Sequence, residues 1–130
     1  MFIEAKCALY VGTSPLGGRG VFCHDPISAQ QLIEVCPALV LKPDDRPLIH
    51  RTQLHDYYFI WGAEDQTSAL ILGYGSLYNH AYAPNAEYRP DYEADLLVFW
   101  ALQDIPAHTE ITVNYHGTPS VQKALWFDVE

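Results

Sequence analysis

The sequence predicts a mostly β domain built of short strands, with little helix. Apolar runs of strand length recur between turn signals. Nine prolines and eight glycines punctuate 130 residues, which leaves little uninterrupted chain for long helices. No segment carries strong helix start and stop signals.

Taken in order, the first expected strand is Lys6 to Val11, "KCALYV". The glycine-rich turn "SPLGGRGVF" follows and leads into Arg19 to Phe22, where β-branched and aromatic residues resume. Leu32 to Leu41 is a longer apolar run. Arg46 to His55 is the best candidate for a short helix. Tyr57 to Trp61 and Ser68 to Leu72 are strand-length runs, and Asp95 to Leu102 contains the strongest apolar stretch, "LLVFWAL". In Glu110 to Tyr115, "EITVNY", Ile111, Val113 and Tyr115 alternate with Thr112 and Asn114, which predicts a strand with Tyr115 on its core-facing side. A phenol placed there needs a hydrogen-bond partner. Thr118 can cap a last turn that has Pro119 at its first position.

Composition bounds the function classes. Hydrophobic residues make up 49% and charged residues 18%, enough apolar surface for one packed domain, expected to span residues 1–130. No apolar run approaches membrane-spanning length, so no membrane partner is expected. The N-terminus shows no secretory leader, and Cys7, Cys23 and Cys36 share no metal-type spacing and close no even disulfide framework. The expected setting is the cytoplasm, or a nuclear or nucleoid-associated site, and not secretion. The net charge of −9 disfavours direct nucleic-acid binding and suits a basic protein partner. The six histidines, His24, His50, His55, His80, His108 and His116, show neither HxH nor HExxH spacing, which argues against a metal enzyme.

Three segments carry chemistry. Gly17, Gly18 and Gly20 allow positive φ or close approach to a ligand, but taken alone they are better explained by an ordinary hairpin turn. The stretch "YNHAYAPNAEY", Tyr78 to Tyr88, joins an Asn-His pair, a Pro-Asn turn and three tyrosines. "EITVNY" closes the set.

In this order and spacing the three segments resemble the motifs of SET-domain protein-lysine methyltransferases, with Gly18-Arg19-Gly20, Asn79-His80-Ala81-Tyr82-Ala83-Pro84-Asn85 and Glu110-Ile111-Thr112-Val113-Asn114-Tyr115 as the counterparts. The resemblance runs from about Val11 to Gly117 and is nearest the minimal, stand-alone viral and bacterial type. It implies a SET-domain fold of short strands in several small sheets, with a knot-like C-terminal threading. It implies S-adenosylmethionine as methyl donor and a basic, lysine-bearing protein or peptide, such as a histone, as acceptor. By family position, Gly18, Arg19, Gly20, Asn79 and His80 meet the cofactor. Pro84 and Asn85 fix the turn, and Tyr115 stands where the amine channel meets the cofactor. Alignment with minimal members favours Tyr57, over Tyr58, as a wall of the lysine channel. Trp126, with Phe127, would fold over the cofactor in place of a cysteine-rich segment this chain lacks. A homodimer completing the peptide groove fits the same family pattern. A SET-like module that binds peptide or cofactor without turnover is the alternative.

The chain also departs from the pattern. Ala81 and Tyr82 replace a Ser and a Cys, "GYGSLY" replaces a segment that often carries an Arg, and Gln30 and His108 occupy positions where turn glycines are expected.

Overall fold

The computed structural model describes residues 7–62, 64 and 66–115. Among these are nine strands and very little helix: β1 (Leu9–Thr13), β2 (Arg19–Cys23), β3 (Leu32–Leu41), α1 (Arg46–Ile49), β4 (Tyr58–Trp61), β5 (Thr67–Ile71), β6 (Asn79–His80), β7 (Ala86–Asp91), β8 (Leu96–Ala101) and β9 (Glu110–Val113). Strand order is β1-β2-β9-β6 in one sheet and β4-β5-β3-β8-β7 in the other. The chain forms two compact units. The first comprises the described parts of Met1–Val35, Leu77–Arg89 and Val98–Glu130; the second comprises those of Cys36–Ser76 and Pro90–Leu97.

The first unit opens with a β1–β2 hairpin in which Thr13 faces Arg19 and Gly12 faces Gly20. Its loop closes through Ser14 N–H donating to the Gly18 carbonyl (2.9 Å), with Gly17 and Gly18 at φ 114° and 62°. Only glycine takes these angles without steric cost. β2 pairs antiparallel with β9, Val21 facing Ile111, and β9 pairs parallel with the two-residue β6, Asn79 facing Thr112 and His80 facing Val113. Val21, Ile33, Phe99, Ile111 and Val113 are buried and form the heart of this unit's core.

The second unit holds an antiparallel ladder in which Tyr58 faces Leu70 on β4–β5 and Leu39 faces Leu70 on β3–β5. The helix expected over Arg46 to His55 forms only as α1, flanked by 3-10 turns at Pro43–Asp45 and Gln53–Asp56. Thr52 is the physical reason. Its hydroxyl donates to the Ile49 carbonyl (2.6 Å) and accepts from Leu54 N–H (3.1 Å), so a side chain takes over bonds a continuous helix would make.

Other boundaries also differ from those expected. β1 starts at Leu9 rather than Lys6, and β9 stops at Val113 rather than Tyr115. Ile111 and Val113 are buried as the alternation requires, but Asn114 is buried too, at 3% exposure. β6 and β7 lie in a stretch with no strand-length apolar run to announce them. Gln30 and His108 take φ 69° and 59°, the left-handed turn conformation expected at those two positions. The proposed capped turn after Thr118 lies outside the described residues.

Candidate active site

The site is built in the first unit around one carboxylate. Glu110 begins β9, and the parallel β6–β9 pairing brings Asn79 beside it. Ser14 Oγ donates to Glu110 Oε1 (2.7 Å), and Asn79 Nδ2 donates to Glu110 Oε2 (2.7 Å) and to the Arg19 carbonyl (2.9 Å). Ser14 Oγ also accepts from Leu16 N–H (3.0 Å), so the same hydroxyl orders the glycine loop. Gly20 completes the packing. A Cβ there would overlap Glu110 Oε2 and lie 2.8 Å from its Cδ and 3.0 Å from Asn79 Nδ2.

The Asn-His segment is stitched to β9 a second time by Asn85. Its Nδ2 donates to the Glu110 carbonyl (2.8 Å), and its Oδ1 accepts from Thr112 N–H (2.9 Å). The turn at Pro84-Asn85 is thereby tied to β9.

Tyr115 is held at three points by the same segment. Its N–H donates to His80 Nδ1 (2.9 Å), its carbonyl accepts from the Tyr88 hydroxyl (3.0 Å), and its own hydroxyl donates to the Tyr78 carbonyl (2.6 Å). Because His80 Nδ1 accepts, the ring proton sits on Nε2. The His80 ring packs against Tyr82 (4.6 Å between centroids) and Tyr115 (5.1 Å). The chain at Tyr115 thus passes between residues 78–80 and residue 88 of one loop-forming segment. The continuation that would complete a threading lies outside the described residues.

A sequence profile of the SET domain matches residues 18–116, most of the chain. The chain belongs to the SET-domain family. Among curated proteins, this SET domain is 32% identical over 114 residues to a Schizosaccharomyces pombe histone-lysine N-methyltransferase specific for H3 lysine-37, covering 87% of this chain and 72% of that protein. Among solved structures, it matches a Plasmodium falciparum protein provisionally designated a histone methyltransferase, with a TM-score of 0.69 and 31% identity, covering 85% of this chain and 99% of that one. It also matches a Chaetomium thermophilum polycomb repressive complex 2 chain, with a TM-score of 0.71 and 23% identity. That match covers 86% of this chain but 15% of the larger one and speaks to the fold alone.

Within the SET domain, Gly18, Arg19, Gly20, Asn79, His80 and Tyr115 all belong to the first unit. The structure directly connects Arg19 to Asn79 and His80 to Tyr115. Tyr57 belongs to the second unit, where it ends the Gln53–Asp56 turn and is 40% exposed. Trp126 and Phe127 lie outside the described residues. Sequence reasoning assigned no role to Ser14, Glu110, Glu34 or the Tyr78 side chain. A glutamate opening the alternating strand "EITV" was the one local sign of the Glu110 hub.

The donor set fits S-adenosylmethionine. Asn79 spends its two amide hydrogens on Arg19 and Glu110, so the group it can present to a ligand is Oδ1, an acceptor suited to an ammonium. Beside Gly18, nothing among the described residues lies within 4 Å of where a Cβ would stand, so main chain there is open to close approach.

Proposed function

We propose that this chain is an S-adenosylmethionine-dependent protein-lysine methyltransferase with its transfer centre at Tyr115. The observation that carries this reading is the three-point hold on Tyr115 by the segment bearing Asn79 and His80. Gly18, Arg19 and Gly20 hold the cofactor through main chain, Asn79 through Oδ1, and His80 through its backbone. When bound, S-adenosylmethionine supplies a sulfonium methyl group for in-line displacement.

The protein's task is to deliver a neutral amine in the right place. A free lysine, with a pKa of about 10.4, is neutral about once in 2,500 at pH 7, a cost of roughly 4–5 kcal/mol. A desolvating channel lowers that cost, and orientation lowers the barrier further. The Tyr115 hydroxyl donates to the Tyr78 carbonyl, which fixes the direction of the phenol that the incoming amine meets. Orientation of the amine is therefore its role, rather than proton abstraction. Tyr57 contributes an aromatic wall to the lysine channel, and Trp126 covers the cofactor.

The acceptor is a lysine in a basic protein, a class that includes histones. The net charge of −9 supports this, and so does the description of the fission-yeast relative as a histone-lysine methyltransferase. Residues 1–130 act as one minimal SET domain, self-association completes the peptide groove, and the setting is cytoplasmic or nuclear.

The test is incubation with radiolabelled S-adenosylmethionine and core histones, followed by mass spectrometry for methyl-lysine. Label on lysine, lost in Tyr115→Phe, supports the reading. Saturable cofactor binding with no labelled protein, from histones or whole lysate, would replace it with a non-catalytic binding module.

A further inference from the structure

Beneath Tyr115 lies a polar pair that catalysis as described does not use. Tyr78 is 1% exposed, and its hydroxyl donates to Glu34 Oε1 at 2.6 Å. Glu34 is itself 5% exposed, on β3 beside the fully buried Ile33. The Tyr78 ring stacks on Phe99, with centroids 4.4 Å apart, and the Tyr88 ring leans on the same Phe99 at 5.7 Å. Tyr78 and Tyr88 are also the residues that grip the Tyr115 hydroxyl and carbonyl. One aromatic ring therefore supports both grips, and one buried carboxylate anchors the tyrosine whose main chain receives the reactive phenol.

A carboxylate is an expensive group to bury, and two apolar side chains would fill this space at lower cost. What an apolar pair cannot do is fix direction. A short hydrogen bond to a carboxylate fixes the far end of the Tyr78 ring, and through it the direction of the Cα–Cβ bond. The carbonyl on the same residue is thereby held where the Tyr115 hydroxyl finds it.

We propose that Glu34 and Tyr78 are positioning residues, a buried carboxylate–phenol anchor that sets the orientation of the Tyr115 hydroxyl for methyl transfer. This rests on the reading of Tyr115 as the transfer-centre phenol. Glu34 and the Tyr78 side chain are both buried, and both act through the Tyr78 carbonyl.

The experiment compares Tyr78→Phe, Glu34→Gln, Glu34→Leu and Tyr115→Phe in the full chain. It reads kcat and KM for a histone peptide, cofactor Kd by calorimetry, and the Tyr115 ring-carbon resonance in protein labelled with carbon-13 tyrosine, recorded without cofactor. Tyr78→Phe keeps the ring and its stacking, so it is expected to fold, to hold KM and Kd within about twofold and to lose roughly 10- to 100-fold in kcat, as misplacement of a catalytic group does. Its Tyr115 resonance moves. Glu34→Gln keeps an acceptor and restores both kcat and resonance to near wild type, whereas Glu34→Leu behaves as Tyr78→Phe does. Wild-type kcat with an unmoved resonance in Tyr78→Phe, beside an inactive Tyr115→Phe, overturns the positioning role alone. Equal loss in Glu34→Gln and Glu34→Leu, in step with a drop in Tm, overturns it too, because a merely structural carboxylate would behave that way. Full kcat in Tyr115→Phe overturns the underlying reading of the phenol, and the resonance still reports, independently of turnover, whether the anchor orients it.

Discussion

Gly20→Ala is the sharpest single test of the Glu110 hub. The added Cβ overlaps Glu110 Oε2 and comes within 2.8 Å of Cδ. The backbone is poorly placed to recede, because Gly20 faces Gly12 in the β1–β2 ladder and its neighbour Val21 faces Ile111 on β9. The carboxylate must move instead, giving up its bonds from Ser14 Oγ and Asn79 Nδ2. Hydrogen bonds to a charged group contribute about 1.5–3 kcal/mol each, so losing both costs roughly 3–6 kcal/mol. Alanine recovers about 0.5–1 kcal/mol over glycine within a strand. The expected net loss is ~2–5 kcal/mol, which a domain of typical stability, about 5–15 kcal/mol, survives with little margin. Release of Asn79 should also weaken cofactor binding roughly 10- to 100-fold, the equivalent of one such bond. Urea unfolding with an unchanged m-value measures the first quantity and calorimetry the second. The decisive arm is the same substitution in a Glu110→Ala background, where the obstructing carboxylate is gone and the extra methyl should cost less than about 0.5 kcal/mol. An undiminished cost in that background, or a cost below about 1 kcal/mol in the wild type, refutes the clamp.

Three further outcomes follow from single features. Tyr115→Phe removes one hydrogen bond and should cost at most about 1 kcal/mol in an unfolding titration, while kcat falls ~100-fold or more as an oriented polar group is lost. Gln30→Gly relieves a left-handed conformation worth about 1–2 kcal/mol and adds back roughly 0.5–1 kcal/mol of glycine entropy, so a thermal melt should rise by a few degrees. Burial, with Cys23 and Asp25 adding, holds the Cys7 thiol above its ordinary 9.0. The folded state therefore binds that proton more tightly than the unfolded chain does. The associated stability is complete below pH 9 and is lost as pH rises through the folded pKa, so a Cys7→Ala variant should show a shallower decline of Tm above pH 9.

What the sequence made legible was whatever depends on neighbours along the chain. Ile111 and Val113 are buried because alternation places them on one face. Gln30 and His108 were marked by the family resemblance, as positions where turn glycines are expected, and both take positive φ. Asn79, His80 and Tyr115 stood out as a set because their motif order resembles a known family, and the structure places Asn79 and His80 on β6 and bonds His80 to Tyr115. The length of α1 was misjudged because the competing bonds come from a threonine hydroxyl, and propensity alone does not show which side chain will take a backbone bond. Glu34 and Tyr78 stand 44 positions apart. No periodicity links residues so distant, and Glu34 alone reads only as an interruption of the apolar run "LIEVC".

Tyr115 shows how the two kinds of information combine. Alternation along "EITVNY" would make it a third core residue after Ile111 and Val113, facing inward with them. Instead the ladder ends at Val113, Asn114 is buried, and Tyr115 leaves the strand half-buried, held through its N–H, carbonyl and hydroxyl by residues 80, 88 and 78. The need of its phenol for a partner was predictable from burial alone. The identity of that partner was not, because the Tyr78 carbonyl comes within reach only after β6 has paired in parallel with β9. A parallel pair of two residues has no signature in the sequence and contributes little stability of its own. Asn85 and Glu110, with four side-chain hydrogen bonds of 2.7–2.9 Å between them, supply what that short ladder lacks. The placement of the phenol therefore depends on polar side chains distant in sequence, and those side chains are where substitutions should separate turnover from folding.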